Sequence, residues 1–281
     1  MDISRLDTSD QHFRQALDEL LRWELDAGGD VDNAARVVVD AVRSSGDAAV
    51  LEYTRQFDRL RCESVADLAL SAEDFAAAYE RIGGIEQRAL RSAATRVRDY
   101  HEHQLEADWA FEDAYGNRLG QRFSAMDRGG VYVPGGQADY PSTVFMTAVP
   151  AKVAGVADVV LTVPTPDGER SDLVLAAAHV AGVDRGFTVG GAQAIAALAF
   201  GTESIPRVDK IVGPGGVFVT AAKRLVFGQV GIDLIAGPSE VLIIADGSAP
   251  PEWLAYDLFS QAEHDTAAQA LLLSPDQDYL D

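Results

Sequence analysis

The 281-residue sequence has a single cysteine, Cys62. An internal disulfide and a cysteine-ligated zinc cluster are thereby excluded, which fits a reducing compartment, and the thiol reads equally well as a small buried hydrophobe. Positive charge is scarce: 23 Lys and Arg stand against 44 Asp and Glu, a formal net charge of −21. A surface so negative repels phosphate backbones and anionic headgroups, so neither nucleic acid nor membrane is an expected partner. No apolar run approaches the roughly 20 residues that span a bilayer. The opening Met1-Asp2-Ile3-Ser4-Arg5-Leu6-Asp7 carries acids where a signal peptide needs cations, which points to the cytoplasm. A Walker loop and the G-x-G-x-x-G dinucleotide fingerprint are both missing.

What is present is ordinary globular composition, 47% apolar and 24% charged with 25 Gly and 11 Pro, which rules out a disordered tail, a collagen-like repeat and a coiled coil. The length favours two lobes. From Ser9 to about Leu105 apolar residues recur three and four apart (Phe13, Leu17, Leu20, Leu21, then Val37, Val38, Ala41, Val42), so this region reads as helices. Gly28-Gly29, Gly46 and Gly83-Gly84 punctuate them, and Ser71 with Asp74 has capping-box spacing. Tyr115-Gly116-Asn117-Arg118 offers turn chemistry for a hairpin between about 109 and 123. After Arg128 short apolar runs alternate with helical stretches: Val131-Tyr132-Val133, Asp158 to Val163, Phe187-Thr188-Val189 and Lys210-Ile211-Val212. That is the rhythm of βα units, and continuous Val and Ile suit strands buried on both faces. Ile232–Ile235, Val241–Ala245 and Ala270–Leu273 read as further strands, with a helix from Pro251 to about Glu263.

Three of these strands run straight into glycine: Val133-Pro134-Gly135-Gly136, Val189-Gly190-Gly191 and Val212-Gly213-Pro214-Gly215-Gly216. Ligands of parallel sheets bind beyond the carboxyl ends of strands, and each turn followed by a helix offers unpaired N–H groups to an anion such as a pyrophosphate. One such turn also meets the ordinary steric needs of an αβ protein; three favour a nucleotide-sized ligand. Gln261 and His264 are three apart at the end of the last long helix, so they share a face and can aim an amide oxygen and an imidazole nitrogen at one metal ion. A helix-ending histidine also complements the dipole without any metal. Ser239 sits in the tight turn Ala236-Gly237-Pro238-Ser239-Glu240, where functional and structural roles weigh equally. His12, His101, His103 and His179 have no arrangement that suggests catalysis.

The stretch from Tyr132 to Asp265 resembles histidinol dehydrogenase, a zinc- and NAD-dependent family. The matching strings are VYVPGG at 131 to 136, YPS at 140 to 142, PAKVAGV at 150 to 156, GGAQAIAALAFGTESIP at 190 to 206, VDKIVGPG at 208 to 215, AAKRLVFGQVGIDLIAGPSEV at 221 to 241 and SQAEHD at 260 to 265. The helical N-terminal part is also similar. The resemblance implies an α/β fold with a doubly wound parallel-sheet Rossmann-like domain plus a second, discontinuous α/β lobe that includes the helical N-terminal region. Boundaries are drawn at 1–128 for the first lobe, 129–239 for the NAD-facing lobe and 240–281 for the return to the first. It further implies NAD-dependent oxidation of L-histidinol to L-histidine in histidine biosynthesis through a held aldehyde, with two NAD consumed. Tyr132 and Gln193 match NAD contacts, Ser239 a substrate contact, and Gln261 and His264 zinc ligands that also touch substrate.

Some positions depart from the family pattern. Gly216 stands where an Asn usually follows Gly-Pro-Gly at the cofactor site, and Thr147 where an Asn usually follows Met146. The family's adjacent catalytic Glu and His, and an Asp and a second His that complete the zinc site, would fall beyond Asp281. The expectation is therefore little or no turnover from these 281 residues alone, and a homodimer or partner chain covering an exposed sheet edge. Two other readings stay open: a non-catalytic paralogue or nucleotide-binding module, and a related dehydrogenase of another polar alcohol.

Overall fold

A computed structural model describes residues 3–20, 28–135, 139–235, 240–263 and 268–280. The first elements are α1 (Phe13–Leu20), α2 (Gly28–Ser45), α3 (Asp47–Phe57), a two-residue strand β1 (Ala69–Leu70), α4 (Ala72–Arg81) and α5 (Gly84–Glu102). A hairpin of β2 (Trp109–Glu112) and β3 (Arg118–Gln121) follows, then β4 (Arg128–Tyr132), α6 (Pro141–Val153), β5 (Asp158–Thr162), α7 (Asp172–Ala181), β6 (Arg185–Phe187), α8 (Gly191–Phe200), β7 (Lys210–Val212), α9 (Val217–Val226) and β8 (Gly231–Ile232). Beyond these lie β9 (Glu240–Ile244), α10 (Pro251–Ala262), β10 (Gln269–Leu273) and α11 (Gln277–Leu280). Residues up to Leu234 form one compact unit and those from Ile235 another.

The first unit is built on a six-stranded sheet of order β1-β6-β5-β4-β7-β8, in which β4 to β8 are mutually parallel and β1 runs antiparallel to β6. The chain steps from β4 through β5 to β6 on one side, then crosses back to β7 and β8 on the other, a doubly wound arrangement. Strand β5 explains its own sequence: Val159 and Leu161 enter the core with α4 to α7, while Val160 enters the opposite core with α2, α3, α8 and α9. Both faces are covered, so the strand needs apolar residues at every position. Ser71 caps α4 as expected, accepting from the Asp74 N–H at 3.2 Å while the Asp74 carboxylate accepts from the Ser71 N–H at 2.8 Å.

Several expectations shift. The N-terminal region is not purely helical, because β1 extends the sheet; two residues are too few to show any periodicity. The third predicted βα strand forms at Arg185–Phe187, two residues early, with Thr188 and Val189 already in the glycine turn. The predicted run from Ile232 pairs only at Gly231–Ile232. The hairpin forms where its turn residues placed it, with Gly116 at φ 83° and Asn117 anchored to Asp113. In the second unit β9 and β10 pair parallel, with α10 packed on both. No helix among the described residues is long and apolar enough to cross a membrane.

Candidate functional site

Strands β4 and β7 are neighbours whose connections leave in opposite directions, so the carboxyl edge between them is the topological switch point where open α/β sheets take ligands. On the β7 side the chain turns at Gly213, whose φ of 126° is open to glycine alone. An ion pair between a buried lysine and a partly exposed aspartate braces this turn. Lys223, 4% exposed, reaches back from α9 to the Asp233 carboxylate and donates to the Gly213 carbonyl at 3.0 Å, while Asp233 accepts from the Gly213 N–H at 2.8 Å. Burial alone would push the Asp233 carboxyl up, but bonds from Lys223 and from the Gly213 and Leu234 N–H groups hold it below the usual carboxylate range. Helix α9 then starts at Gly216, which offers no side chain to cap it and faces open space, so its first N–H groups are free for an anion.

On the other side, α8 starts from Gly190, again without a side-chain cap. The Gly191 N–H is taken by the Tyr132 hydroxyl at 3.2 Å. Tyr132 is buried, which pushes its phenol up to about 12, so it remains a neutral donor and acceptor. In the first turn of α8 the Gln193 side chain is fully buried, yet among the described residues neither its amide oxygen nor its nitrogen has a hydrogen-bond partner. Thr165 Oγ1, in the loop after β5, and Asp58 Oδ2, just past α3, are likewise buried and unpartnered. The Gly190 N–H points toward the Asp58 carboxyl, and burial raises that carboxyl to about 6. Unsatisfied buried polar atoms each cost about 1–3 kcal/mol, and their convergence on one turn marks a site built for something other than stability.

A folded-state pKa above the unfolded value means that the folded chain favours the protonated Asp58. This contribution is complete below about pH 4 and is lost as pH rises through about 6, at a cost of up to about 3 kcal/mol. Urea unfolding of Asp58→Asn should lack this fall in stability between those pH values. Parallel pH profiles for the variant and wild type contradict the assignment.

The histidinol dehydrogenase family pattern matches residues 22–281. The chain belongs to the histidinol dehydrogenase family. It is 56% identical over 279 residues to the histidinol dehydrogenase of Pseudomonas savastanoi pv. phaseolicola (strain 1448A / Race 6), covering 99% of this chain and 62% of that protein. With its Pseudomonas aeruginosa counterpart it shares 57% identity over 279 residues, 99% of this chain and 63% of that protein. The crystal structure of histidinol dehydrogenase from Elizabethkingia anophelis superposes with a TM-score of 0.81 at 36% identity, over 89% of this chain and 57% of that one. The chain thus spans somewhat under two thirds of the length of the curated relatives it matches.

Of the residues that the histidinol dehydrogenase resemblance singles out, Tyr132 reaches the first turn of α8, which also carries Gln193, and Gly216 directly precedes α9, all within the first unit. Thr147 turns its hydroxyl back into α6, donating to the Thr143 carbonyl at 2.6 Å, so its proton is committed within the helix. Gln261 lies in the last turn of α10 in the second unit, its amide nitrogen buried and without a partner among the described residues. Ser239 and His264 lie outside the described residues. Among the described residues no group of three or more His, Cys, Asp or Glu gathers to hold a metal, and Gln261 by itself is no metal site. The remaining described histidines stay apart: His12 bonds to Gln11, His101 and His103 bond locally to Gln104 and the Asp99 carbonyl, and the His179 ring lies against Tyr79. The sequence reading missed Asp58. Its signal is an acid at a helix C-terminus, where the dipole disfavours one.

Proposed function

We propose that this chain supplies the dinucleotide-binding part of a histidinol dehydrogenase, which oxidises L-histidinol to L-histidine through an aldehyde and passes one hydride to each of two NAD. NAD supplies the hydride acceptor; the chain's own residues bind, orient and exclude water. The uncapped first turns of α8 and α9 would receive the pyrophosphate, and Gln193 and Tyr132 would orient the cofactor. The observation that carries this reading is the Gln193 amide, fully buried at the carboxyl edge of the sheet with both polar atoms unpartnered.

That amide gives a test with two opposite readouts. In Gln193→Leu an unsatisfied buried amide is replaced by an apolar group of similar size, so stability of the free chain should rise by about 1–3 kcal/mol in urea unfolding. NAD binding, followed by calorimetry, should be lost in the same variant. A Gln193→Leu chain that binds NAD as tightly as wild type refutes the reading.

Zinc belongs to the same proposal: Gln261 and His264 would be its ligands, and when bound it would supply Lewis-acid chemistry toward the substrate's oxygen. Of the Gln261 amide it is the nitrogen, a hydrogen-bond donor, that is buried and unpartnered, whereas a zinc ligand would be the oxygen. Two protein ligands fall short of the three or four that zinc takes in proteins, so no step of the chemistry is derived through the metal. A homodimer is also part of the reading. Leu242 and Ile244 of β9 and Trp253 and Tyr256 of α10 are exposed, apolar surface of the kind that a partner covers.

A further inference from the structure

Asp58 is 7% exposed, and it stands just past the C-terminal end of α3, where the helix dipole disfavours a negative charge. Its surroundings belong to the turn before α8. The Gly190 N–H points toward its carboxyl, and its charge acts on Tyr132, the residue that accepts from the Gly191 N–H. The Asp58 carbonyl accepts from the Asp167 N–H at 2.8 Å, which ties in the loop that carries the unpartnered Thr165. A buried carboxylate with a free oxygen is costly, and the Gly190 N–H and the Arg59 charge offset only part of that cost.

We propose that Asp58 is a positioning residue for the dinucleotide: its ionised carboxylate holds the Gly190 N–H, and with it the Gly190–Gly191 turn that aims Gln193 and the free amides of α8. The inference rests on the dinucleotide reading above and adds the residue that keeps the site in its binding form. Asp58 acts through the turn and does not touch the ligand. Burial places its titration at about 6. The charged and titratable groups around it are otherwise fixed: Arg59 is clamped by Asp167 at 2.8 Å, this bond holds Asp167 below the usual carboxylate range, and Tyr132 stays neutral. Among these groups Asp58 alone changes charge between pH 5 and 8, so dinucleotide affinity should follow its ionisation.

The test is calorimetric titration of the 281-residue chain with NAD, wild type beside Asp58→Asn. If the ionised form alone is competent, wild-type affinity falls about tenfold from about pH 7.5 to about pH 5. Asp58→Asn, held in the neutral state, binds more weakly than wild type at the higher pH and equally at both. Amide hydrogen exchange at residues 190–194, corrected for intrinsic rates, makes the same comparison without ligand: protection drops on acidification in wild type and is low and constant in the variant. The same pH response in both proteins, by either readout, overturns the proposal. NAD binding that is equal in the two removes the role of Asp58 and leaves the dinucleotide reading standing, whereas a wild type that binds no NAD takes down both. Should Asp58→Asn fail to fold, a wild-type affinity that is flat across this range overturns the proposal by itself.

Discussion

Asp233→Ala should lower the unfolding free energy by about 3–5 kcal/mol, because it leaves the Lys223 ammonium buried with no counter-charge. Lys223 is 4% exposed, and without Asp233 it keeps only the bond to the Gly213 carbonyl at 3.0 Å. The Gly213 N–H and the Leu234 N–H, held by Asp233 at 2.8 and 2.7 Å, lose their acceptor at the same time. The penalty comes from the orphaned partner more than from the lost attraction, so the double variant Lys223→Met with Asp233→Leu should cost less than Asp233→Ala. Urea denaturation of the three proteins measures the ordering. A single-variant loss below about 1 kcal/mol would place the pair among weak surface bridges. The pH dependence has a definite sign: the folded-state pKa of Asp233 is depressed, so its contribution is present above the unfolded carboxylate value and disappears as pH falls through the lowered one.

Gly213→Ala should be at least as damaging, with a loss of about 3 kcal/mol or more. A methyl group there overlaps the carbonyl oxygen of Tyr132 on β4, and φ of 126° is closed to L-residues in any case. The obstacle is the backbone of a central strand, which cannot swing aside as a side chain can. Gly216→Ala is the matched control. Its φ is −64° and nothing lies within 4 Å of an added methyl, so its effect should stay within about 0.5 kcal/mol. Equal losses at the two positions contradict the claim that the first turn is shaped by close approach and the second left open.

These two variants also show what the sequence discloses and what it conceals. The glycine after each parallel strand is visible as text, and so is the βα rhythm, because strands buried on both faces must be apolar throughout and so stand out as unbroken runs. The same physics hid β1: Ala69 and Leu70 join the sheet through pairing with β6, and two residues carry no period. Lys223 and Asp233 lie ten residues apart and on different elements, so only the fold reveals that they clamp one turn. Asp58 and Thr165 come from separate helices and loops in the same way. Gln193 was legible as a residue of interest through resemblance, but its lack of any hydrogen-bond partner is a property of packing. The Gln261–His264 pairing is an expectation from helical spacing and resemblance; α10 ends at Ala262, and His264 lies outside the described residues.

The most direct measurement is amide hydrogen exchange of the 281-residue chain with and without saturating NAD. Protection should rise in three places, at residues 133–135, 190–194 and 213–219, where strands end in glycine at the carboxyl edge, and stay unchanged in α5 and the β2–β3 hairpin. Protection that is absent from these turns, or that falls instead on the outer helices, would contradict a dinucleotide seated at the switch point of the sheet.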